Sequence, residues 1–79
     1  MIINIKDTLF LDDDNEYLVI SKVNYDNKNY YYLLDKNDNV NFKFCYEDNE
    51  ELVEVNDKEL ATKLLPLFVE VAKDLLPKQ

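Results

Sequence analysis

The sequence predicts an α+β fold, in which a five-stranded antiparallel β-meander precedes one C-terminal α-helix packed on one face of the sheet. Three observations predict it. Apolar and polar residues alternate through most of the chain, clusters of Asn and Asp interrupt this alternation, and the last part changes to a helical spacing. With 79 residues and no repeat, linker or low-complexity tract, residues 1–79 are predicted to form a single domain.

The strand boundaries follow from matching the apolar faces of neighbouring strands, because a slip of one residue turns every side chain to the other face. The connections predicted in this way are three-residue loops at 13–15 and 37–39, a four-residue loop at 26–29 and a two-residue turn at 48–49. Since the chain has no Gly, Asn15 and Asn39 are expected to hold the left-handed position that closes each three-residue loop. The predicted strands are 2–11, 16–25, 30–36, 40–47 and 50–55.

These connections predict one apolar face on the sheet. Across the loop at 37–39, Leu34 is expected opposite Phe42, and Tyr32 opposite Phe44. Further pairs expected across the other connections are Leu9 with Val19, Ile3 with Tyr25, Asp7 with Ser21, Val23 with Tyr32, and Phe44 with Val53. The face assigned to the helix carries Ile3, Tyr17, Val19, Tyr25, Tyr30, Tyr32, Leu34, Phe42, Phe44, Tyr46 and Val53.

The helix is predicted over residues 57–76. At 100° per residue, one apolar stripe contains Leu60, Leu64, Phe68, Val71 and Leu75. Asn56 is the expected N-cap, since Glu59 follows three residues later as in a capping box. Pro66 falls on the polar side, so a kink or a short break is expected there rather than the end of the helix.

Three stretches of the chain, DDDNEYLV, NKNYYYLLD and EELVEVNDKEL with its closing helix, are together similar to a known family. They resemble the YrzB-like family of small acidic bacterial proteins, over approximately residues 9–76. The likeness consists of the spacing of strands, turns and helix. It implies no catalytic residue, because the family has no assigned activity. The abundance of Asn, Asp, Lys and Tyr is also typical of an AT-rich bacterial gene.

Charge and composition exclude several kinds of partner. Nine Lys against 17 Asp and Glu give a formal net charge of −8, which repels a phosphate backbone, so no nucleic acid is predicted as a partner. No apolar run approaches the roughly 18 residues that span a bilayer, and the first ten residues lack the features of a signal peptide. With one cysteine, Cys45, the chain is expected in the reducing cytoplasm and away from membranes.

No catalytic, cofactor or metal site is predicted, and no small-molecule substrate is evident. The chain has no His to act as a base near neutral pH and no Gly for a phosphate-binding loop. In the stretch LLDKNDNVNFKF, Asp35, Asn37 and Asn39 alternate like calcium ligands. However, Val40 stands where a calcium loop needs Gly, and Tyr46 stands where it needs a bidentate Glu. We therefore interpret this stretch as a turn.

Two function classes remain. The first is a non-catalytic protein-interaction module, acting as a homodimer or on another protein. The second is an acidic nucleic-acid mimic or inhibitor that binds a basic protein surface. The candidate interface lies on the sheet face away from the helix, where Tyr31, Cys45 and Leu52 are expected in one cross-strand row with Leu33 beside them. An exposed apolar row would mark an interface. The alternative is that the sheet curls and the row packs under a loop or a chain end.

Overall fold

A computed structural model describes residues 3–38 and 40–73 and shows five strands followed by one helix. The elements are β1 (Thr8–Phe10), β2 (Glu16–Tyr25), β3 (Lys28–Asp35), β4 (Phe42–Asp48), β5 (Glu51–Glu54) and α1 (Lys58–Ala72). The strands form one antiparallel sheet in the order β1-β2-β3-β4-β5, and this sheet is curled. The α+β class and the five-stranded meander are therefore confirmed.

The central hairpin, β3 with β4, has the predicted register. Leu34 pairs with Phe42, Tyr32 with Phe44 and Tyr31 with Cys45. The strands end earlier than expected, so that Val40 lies in the loop, 83% exposed, and the structure does not describe Asn39. The register survives because alternating Tyr, Leu and Phe residues on both strands leave one arrangement that buries them together.

The first hairpin is shifted by two residues from the predicted register. Leu9 pairs with Tyr17 rather than with Val19, and the loop is one residue earlier, at 12–14. Asp14 N–H donates to the Leu11 carbonyl at 3.0 Å, and Asp14 has φ 62°, so Asp14 and not Asn15 closes the loop in the left-handed conformation. The loop type is as predicted, but its position is not.

Because Asp14 and not Asn15 has positive φ, a glycine substitution is expected to stabilise the fold at position 14 and not at position 15. Asp14→Gly is expected to raise the free energy of unfolding by up to about 1 kcal/mol, because glycine adopts positive φ without a steric cost. Asn15→Gly, the matched control, should give no gain, since Asn15 does not have positive φ. Urea unfolding of both variants measures the difference, and an equal gain in both would contradict the assignment of Asp14 as the left-handed residue.

β1 is much shorter than the predicted strand 2–11. Asp7 N–H donates to the Asn4 carbonyl at 3.1 Å, the Asp7 carboxylate accepts from Asn4 N–H at 2.8 Å, and Lys6 has φ 78°. These contacts close a tight turn before β1 and end its pairing with β2. Ile3 therefore does not lie opposite Tyr25 as expected. It is buried on the other face of the sheet.

A bulge in β2 divides the apolar residues between the two faces of the sheet. Val19 pairs with Leu33 but Ser21 pairs with Tyr32, so Ile20 is an extra residue on β2. Such a residue reverses the alternation of the strand beyond it. As a result, Tyr17 and Val19 do not share a face with Val23 and Tyr25, and the predicted single apolar face is wrong. Tyr32 pairs with Ser21 rather than with Val23 as predicted, and Val23 pairs with Tyr30. On the other side of β2, Val19 N–H donates to the Asp7 carbonyl, so Asp7 lies beside Val19 and not opposite Ser21 as predicted.

The other two connections are two-residue turns. The first, at 26–27, is shorter than the predicted four-residue loop at 26–29, and the second, at 49–50, comes one residue later than predicted. Asp26 and Asn27 connect β2 to β3 with φ 52° and 64°, and Asn49 and Glu50 connect β4 to β5 with φ 51° and 67°. Two consecutive positive φ angles are typical of a type I′ turn, which matches the twist of the strands it joins. With the second turn at Asn49, Val53 pairs with Tyr46 instead of Phe44.

Helix α1 begins later than the capping-box interpretation predicted. Asp57 is the N-cap, and its carboxylate accepts from the N–H groups of Glu59 and Leu60 at 3.0 and 3.3 Å. A carboxylate at this position also interacts favourably with the helix dipole, which explains the preference over Asn56. The helix continues through Pro66, where a bend stays a prediction, and residues 74–76 of the predicted helix lie outside the described residues.

Two apolar clusters stabilise the fold, one on each face of the sheet. The helix-side cluster contains Tyr30, Phe44, Leu64 and Phe68, with Val23, Tyr25, Tyr32, Tyr46, Val55, Leu60 and Ala61 packed against them. The cluster on the other face lies beneath a groove between β1 and β5 and is called the groove-side cluster. It contains Ile3, Tyr17, Val19, Tyr31, Leu33 and Cys45, with Leu9, Leu11 and Leu52 packed against them. On α1, Ala72 is buried, whereas Val71 of the predicted stripe is 44% exposed.

Candidate functional site

The row proposed as an interface is mostly buried. Tyr31, Leu33 and Cys45 are 1%, 0% and 2% exposed, in the groove-side cluster. The two-residue shift of β5 places Leu52 opposite Glu47, so Leu52 does not continue the row beside Cys45. The structure therefore corresponds to the alternative in which the sheet curls over the row, and of these four side chains Leu52 alone is half-exposed.

A groove of about 870 Å³ lies where the curled sheet brings its two ends together. One wall is β1 with the loop that follows it, and the other is formed by β4 and β5. Its lining residues are Ile3, Leu9, Phe10, Leu11, Asp12, Asp13, Lys43, Cys45, Glu50, Glu51, Leu52 and Glu54. This volume lies within the range of about 300–1,000 Å³ that is typical of small-molecule pockets.

The groove combines an apolar floor with an acidic rim. Ile3, Leu9, Cys45 and Leu52 belong to the groove-side cluster or pack against it. Among the described lining residues, five carry carboxylates and one carries an ammonium group, so the formal charge of the lining is 1 − 5 = −4. Phe10 stands at the groove with 75% of its surface exposed.

Lys43 joins the two walls of the groove. Its Nζ lies 3.1 Å from Asp13 Oδ2, in the loop after β1, and 3.7 Å from Glu54 Oε1, on β5. The same Nζ is 5.6 Å from the centre of the Tyr17 ring, and the Tyr17 hydroxyl donates to Asp13 Oδ2 at 2.7 Å. Lys43 thereby holds the β1 end of the curled sheet against the β5 end.

Asp13 is the acceptor at the centre of this arrangement. The Tyr17 hydroxyl, the Asn15 N–H and the Lys43 ammonium group all donate to its carboxylate, and they lower its pKa to about 2. The hydrogen bond to Asp13, aided by the charge of Glu54, also raises the pKa of Lys43. Both groups are therefore charged across the range in which most proteins are folded.

Asp13→Asn is expected to lower the melting temperature at neutral pH, because the carboxylate is stabilised in the folded state. A carboxyl group with a depressed folded-state pKa stabilises the fold above its ordinary pKa of 3.8, and this contribution is lost as the pH falls to about 2. The difference in melting temperature between the native chain and the variant should therefore be constant from about pH 7 to pH 5 and shrink between about pH 4 and pH 2.

Asp12→Asn is the matched control, since it removes the same charge from the same loop without these hydrogen bonds. Thermal unfolding followed by circular dichroism at a series of pH values measures both differences. If the two variants show the same pH profile, the contacts of Asp13 contribute nothing specific to the fold.

Two buried groups of the groove-side cluster have raised pKa values: Cys45, which lines the groove, and Tyr31, which lies in the cluster beneath it. Burial raises the pKa of the Cys45 thiol to about 11. Burial, and then the hydrogen bond to Glu47 at 2.9 Å, raise the pKa of the Tyr31 hydroxyl to about 12. Neither group supplies a nucleophile near neutral pH, because the reactive form is the anion. The arrangement is suited to binding by shape and charge.

Cys45 is expected to react with a disulfide reagent such as DTNB at least about tenfold more slowly at pH 8 in the folded chain than in urea, because the loss of thiolate outweighs the greater nucleophilicity of a more basic thiolate. With its pKa raised to about 11, the thiolate fraction at pH 8 falls from about one in ten to about one in a thousand. The control is a Cys45→Ala, Val40→Cys chain, whose thiol is at an exposed position and should react at the unfolded rate. Fast labelling of native Cys45 would show that the groove floor is open.

The stretch that resembles a calcium loop is occupied by its own hydrogen bonds. Asp35 accepts from Asn37 N–H at 2.8 Å and from Asn41 Nδ2 at 3.1 Å, and Asp38 accepts from Val40 N–H at 3.2 Å. Within residues 3–38 and 40–73, no three Asp, Glu or Cys side chains are grouped so as to hold a metal ion. In the same part of the chain, no helix is long and apolar enough to cross a membrane.

The structure is an α+β chain with a groove between the ends of one curled sheet. No family model, curated protein or solved structure matches the chain. The resemblance to the YrzB-like family stays a prediction.

Sequence reasoning missed the groove although it placed part of its floor. Leu52 and Cys45 were proposed as interface residues, whereas Phe10 was not singled out. One signal was available, since Phe10 stands between Leu9 and Leu11 and three consecutive apolar residues cannot all face one side of a strand. The acidic residues at 12–13 are predicted to lie in a turn, and they do. Glu50 and Glu51 are predicted to lie in the fifth strand, whereas β5 begins at Glu51 and Glu50 belongs to the turn before it. The approach of these residues to 12–13 depends on the curl of the sheet.

Proposed function

We propose that the protein is a non-catalytic protein-interaction module whose binding surface is the groove between β1 and β5. The observation that carries the proposal is the groove itself, which has an apolar floor, an acidic rim and a volume of about 870 Å³. The raised pKa values of Cys45 and Tyr31 support binding rather than chemistry, since neither group ionises near neutral pH.

Phe10 supports a protein partner in particular. It is 75% exposed at the wall of the groove, so its aromatic surface contributes little to the chain's own fold. Aromatic residues, Phe among them, are enriched in protein–protein interfaces relative to the rest of the surface. Because side chains alternate along a strand, Phe10 leaves β1 on the side opposite Leu9, so it is an exposed contact residue at the rim of the groove and not over its floor.

The acidic mimic is the second candidate, and the net charge of −8 favours it. A mimic binds through the distribution of its charges and has no need of an apolar groove. The two proposals therefore differ in what an added carboxylate at Phe10 does. It should remove binding through the groove, whereas it should leave a mimic unchanged or strengthen it.

The test is affinity capture from the native lysate with three immobilised chains: the native one, Phe10→Asp, and Val40→Asp. Val40 is the matched control, because it is 83% exposed and does not line the groove. Each capture is done at about 0.05 M and about 0.5 M NaCl, since exposed charges are largely screened at the higher value.

A partner that is retained by Val40→Asp and lost with Phe10→Asp supports the groove as the binding surface. Partners that are basic, insensitive to Phe10→Asp and lost at high salt would establish the mimic instead. If neither variant changes what is captured at high salt, the groove is not the binding surface and the proposal is wrong.

A further inference from the structure

We infer that the groove binds an extended segment of a partner protein, which pairs with β5 as an added strand. Four consecutive residues of this segment are basic, apolar, apolar and basic. The inference rests on the proposed function, because it names the chemistry and geometry of the partner for the same groove. Four features of the described residues carry it: a free strand edge, its position in the groove, the charge of the rim and the sequence of β5.

β5 presents unpaired backbone groups to the groove. Val55 N–H donates to the Phe44 carbonyl at 2.7 Å, which fixes the phase of the ladder between β4 and β5. In an antiparallel pair, alternate residues of each strand direct their N–H and C=O groups to the partner strand. Val53 and Glu51 therefore bond to β4 like Val55, while the backbone groups of Leu52 and Glu54 point to the free edge.

β5 is a better edge for pairing than β1. Val19 N–H donates to the Asp7 carbonyl at 2.8 Å, and Leu11 N–H donates to the Asn15 carbonyl at 3.2 Å. By the same alternation, Thr8 and Phe10 carry the outward backbone groups of β1. Thr8 does not line the groove, whereas Leu52 and Glu54 both do. A strand bound in the groove can therefore form hydrogen bonds with the outward backbone groups of both Leu52 and Glu54.

The charge of the rim selects the partner. The described lining has a formal charge of −4, and its lysine already lies within 3.7 Å of Glu54 and 3.1 Å of Asp13. A segment that enters this groove without positive charge brings no compensation for the carboxylates that it desolvates. Like charges placed opposite each other on neighbouring strands are also destabilising, which excludes an acidic segment.

A second copy of β5 is disfavoured by the same rule. If two copies of Glu51–Glu54 pair antiparallel about their centre, Glu51 of each lies opposite Glu54 of the other. Charged residues on an edge strand are a common way to prevent such self-association. Two copies of β5 therefore repel each other at this edge, whereas a strand with basic residues can pair with it.

The residue pattern of the partner follows from β5 itself. Glu51, Leu52, Val53 and Glu54 form an acidic, apolar, apolar, acidic sequence. The complement that places a cation opposite each Glu and an apolar side chain opposite each apolar one is basic, apolar, apolar, basic. Since this pattern is the same in both directions, it fits a parallel or an antiparallel strand.

The probe is a synthetic peptide, Thr-Thr-Lys-Val-Val-Lys-Thr-Thr, blocked at both ends and added to the native chain. Hydrogen exchange of the Leu52 and Glu54 amides, measured by NMR, is expected to slow about tenfold when the peptide is bound, because these amides gain backbone acceptors. The Val53 amide is the internal control, since it is already bonded to β4. The same peptide with Glu in place of Lys should not bind.

Backbone methylation separates strand pairing from simple charge attraction. A strand directs every second N–H group toward its partner strand. Two peptides are therefore made: one is N-methylated at the odd-numbered residues and the other at the even-numbered residues. One of them should lose about tenfold in affinity, and the other should bind nearly as well as the parent. Glu51→Lys, an exposed change that keeps the edge, should also weaken the parent peptide about fivefold.

The outcomes separate this inference from the proposed function. If the Lys peptide binds without slowing exchange at Leu52 and Glu54, or if both methylated peptides bind equally, pairing with β5 is wrong while the groove remains a binding surface. If a Lys octamer binds as tightly, charge alone is responsible and the inference is overturned. A dimer in light scattering that Phe10→Asp dissociates would make a second copy the occupant, which also overturns it.

Discussion

Phe68→Ala is expected to lower the free energy of unfolding by about 3–5 kcal/mol, the usual cost of removing a fully buried Phe. Phe68 is 0% exposed, and its ring centre lies 5.0 Å from that of Phe44 and 5.8 Å from that of Tyr32. It is the contact through which α1 packs on β3 and β4. A chain of 79 residues has a stability on the order of 4–12 kcal/mol, so this loss is a large share of the total.

Leu67→Ala is the control for this prediction, because Leu67 neighbours Phe68 on the same helix but is 39% exposed. Its cost should be below about 1 kcal/mol, since less apolar surface is returned to water. Urea unfolding followed by circular dichroism measures both variants. Equal costs would mean that α1 does not dock through Phe68.

The residues that face the helix show which part of the fold the sequence could predict. The register of β3 with β4 is predicted because Tyr32, Leu34, Phe42 and Phe44 alternate with other residues, and one pairing places all four on the same face. This constraint is local to a hairpin and needs no knowledge of the rest of the chain. The strand order followed from the same reasoning, because short connections leave consecutive strands adjacent.

The bulge at Ile20 was not predicted, and it changed the assignment of half the sheet. Without it, Tyr17, Val19, Val23 and Tyr25 would share a face, as the odd-numbered positions of one regular strand. The sequence does carry a sign, since residues 17–20 are four consecutive apolar residues. Such a run is typical of a strand buried on both faces. Glycine inside a strand often marks a bulge, but this chain has no Gly.

The candidate site was harder to predict than the fold because it depends on curvature. The alternating pattern shows that Tyr31 and Cys45 are neighbours, and the structure confirms this pair. Whether their face is open or covered depends on the turn before β1, which returns Ile3 to that face, and on the contact of Lys43 with Asp13. These contacts join residues far apart in the sequence, so no local pattern indicates them.

Leu33→Asp is expected to leave the chain unfolded, because Leu33 is 0% exposed at the centre of the groove-side cluster. Removing a buried Leu side chain costs about 2–5 kcal/mol, and burying an unpaired carboxylate adds several more. The sum is comparable with the stability of the whole chain, on the order of 4–12 kcal/mol. Circular dichroism and the dispersion of NMR amide signals measure the outcome directly.

Leu52→Asp introduces the same group at the edge of the same cluster and should keep the chain folded. Leu52 is partly buried at the edge of the cluster and lies on an edge strand, so the new carboxylate can reach water while the buried residues of the cluster stay packed. Binding through the groove should be lost, because an apolar contact at its wall is replaced by a sixth carboxylate. If Leu33→Asp instead folds normally, the face that carries Tyr31, Leu33 and Cys45 is open to solvent, and the groove-side cluster does not hold the fold together.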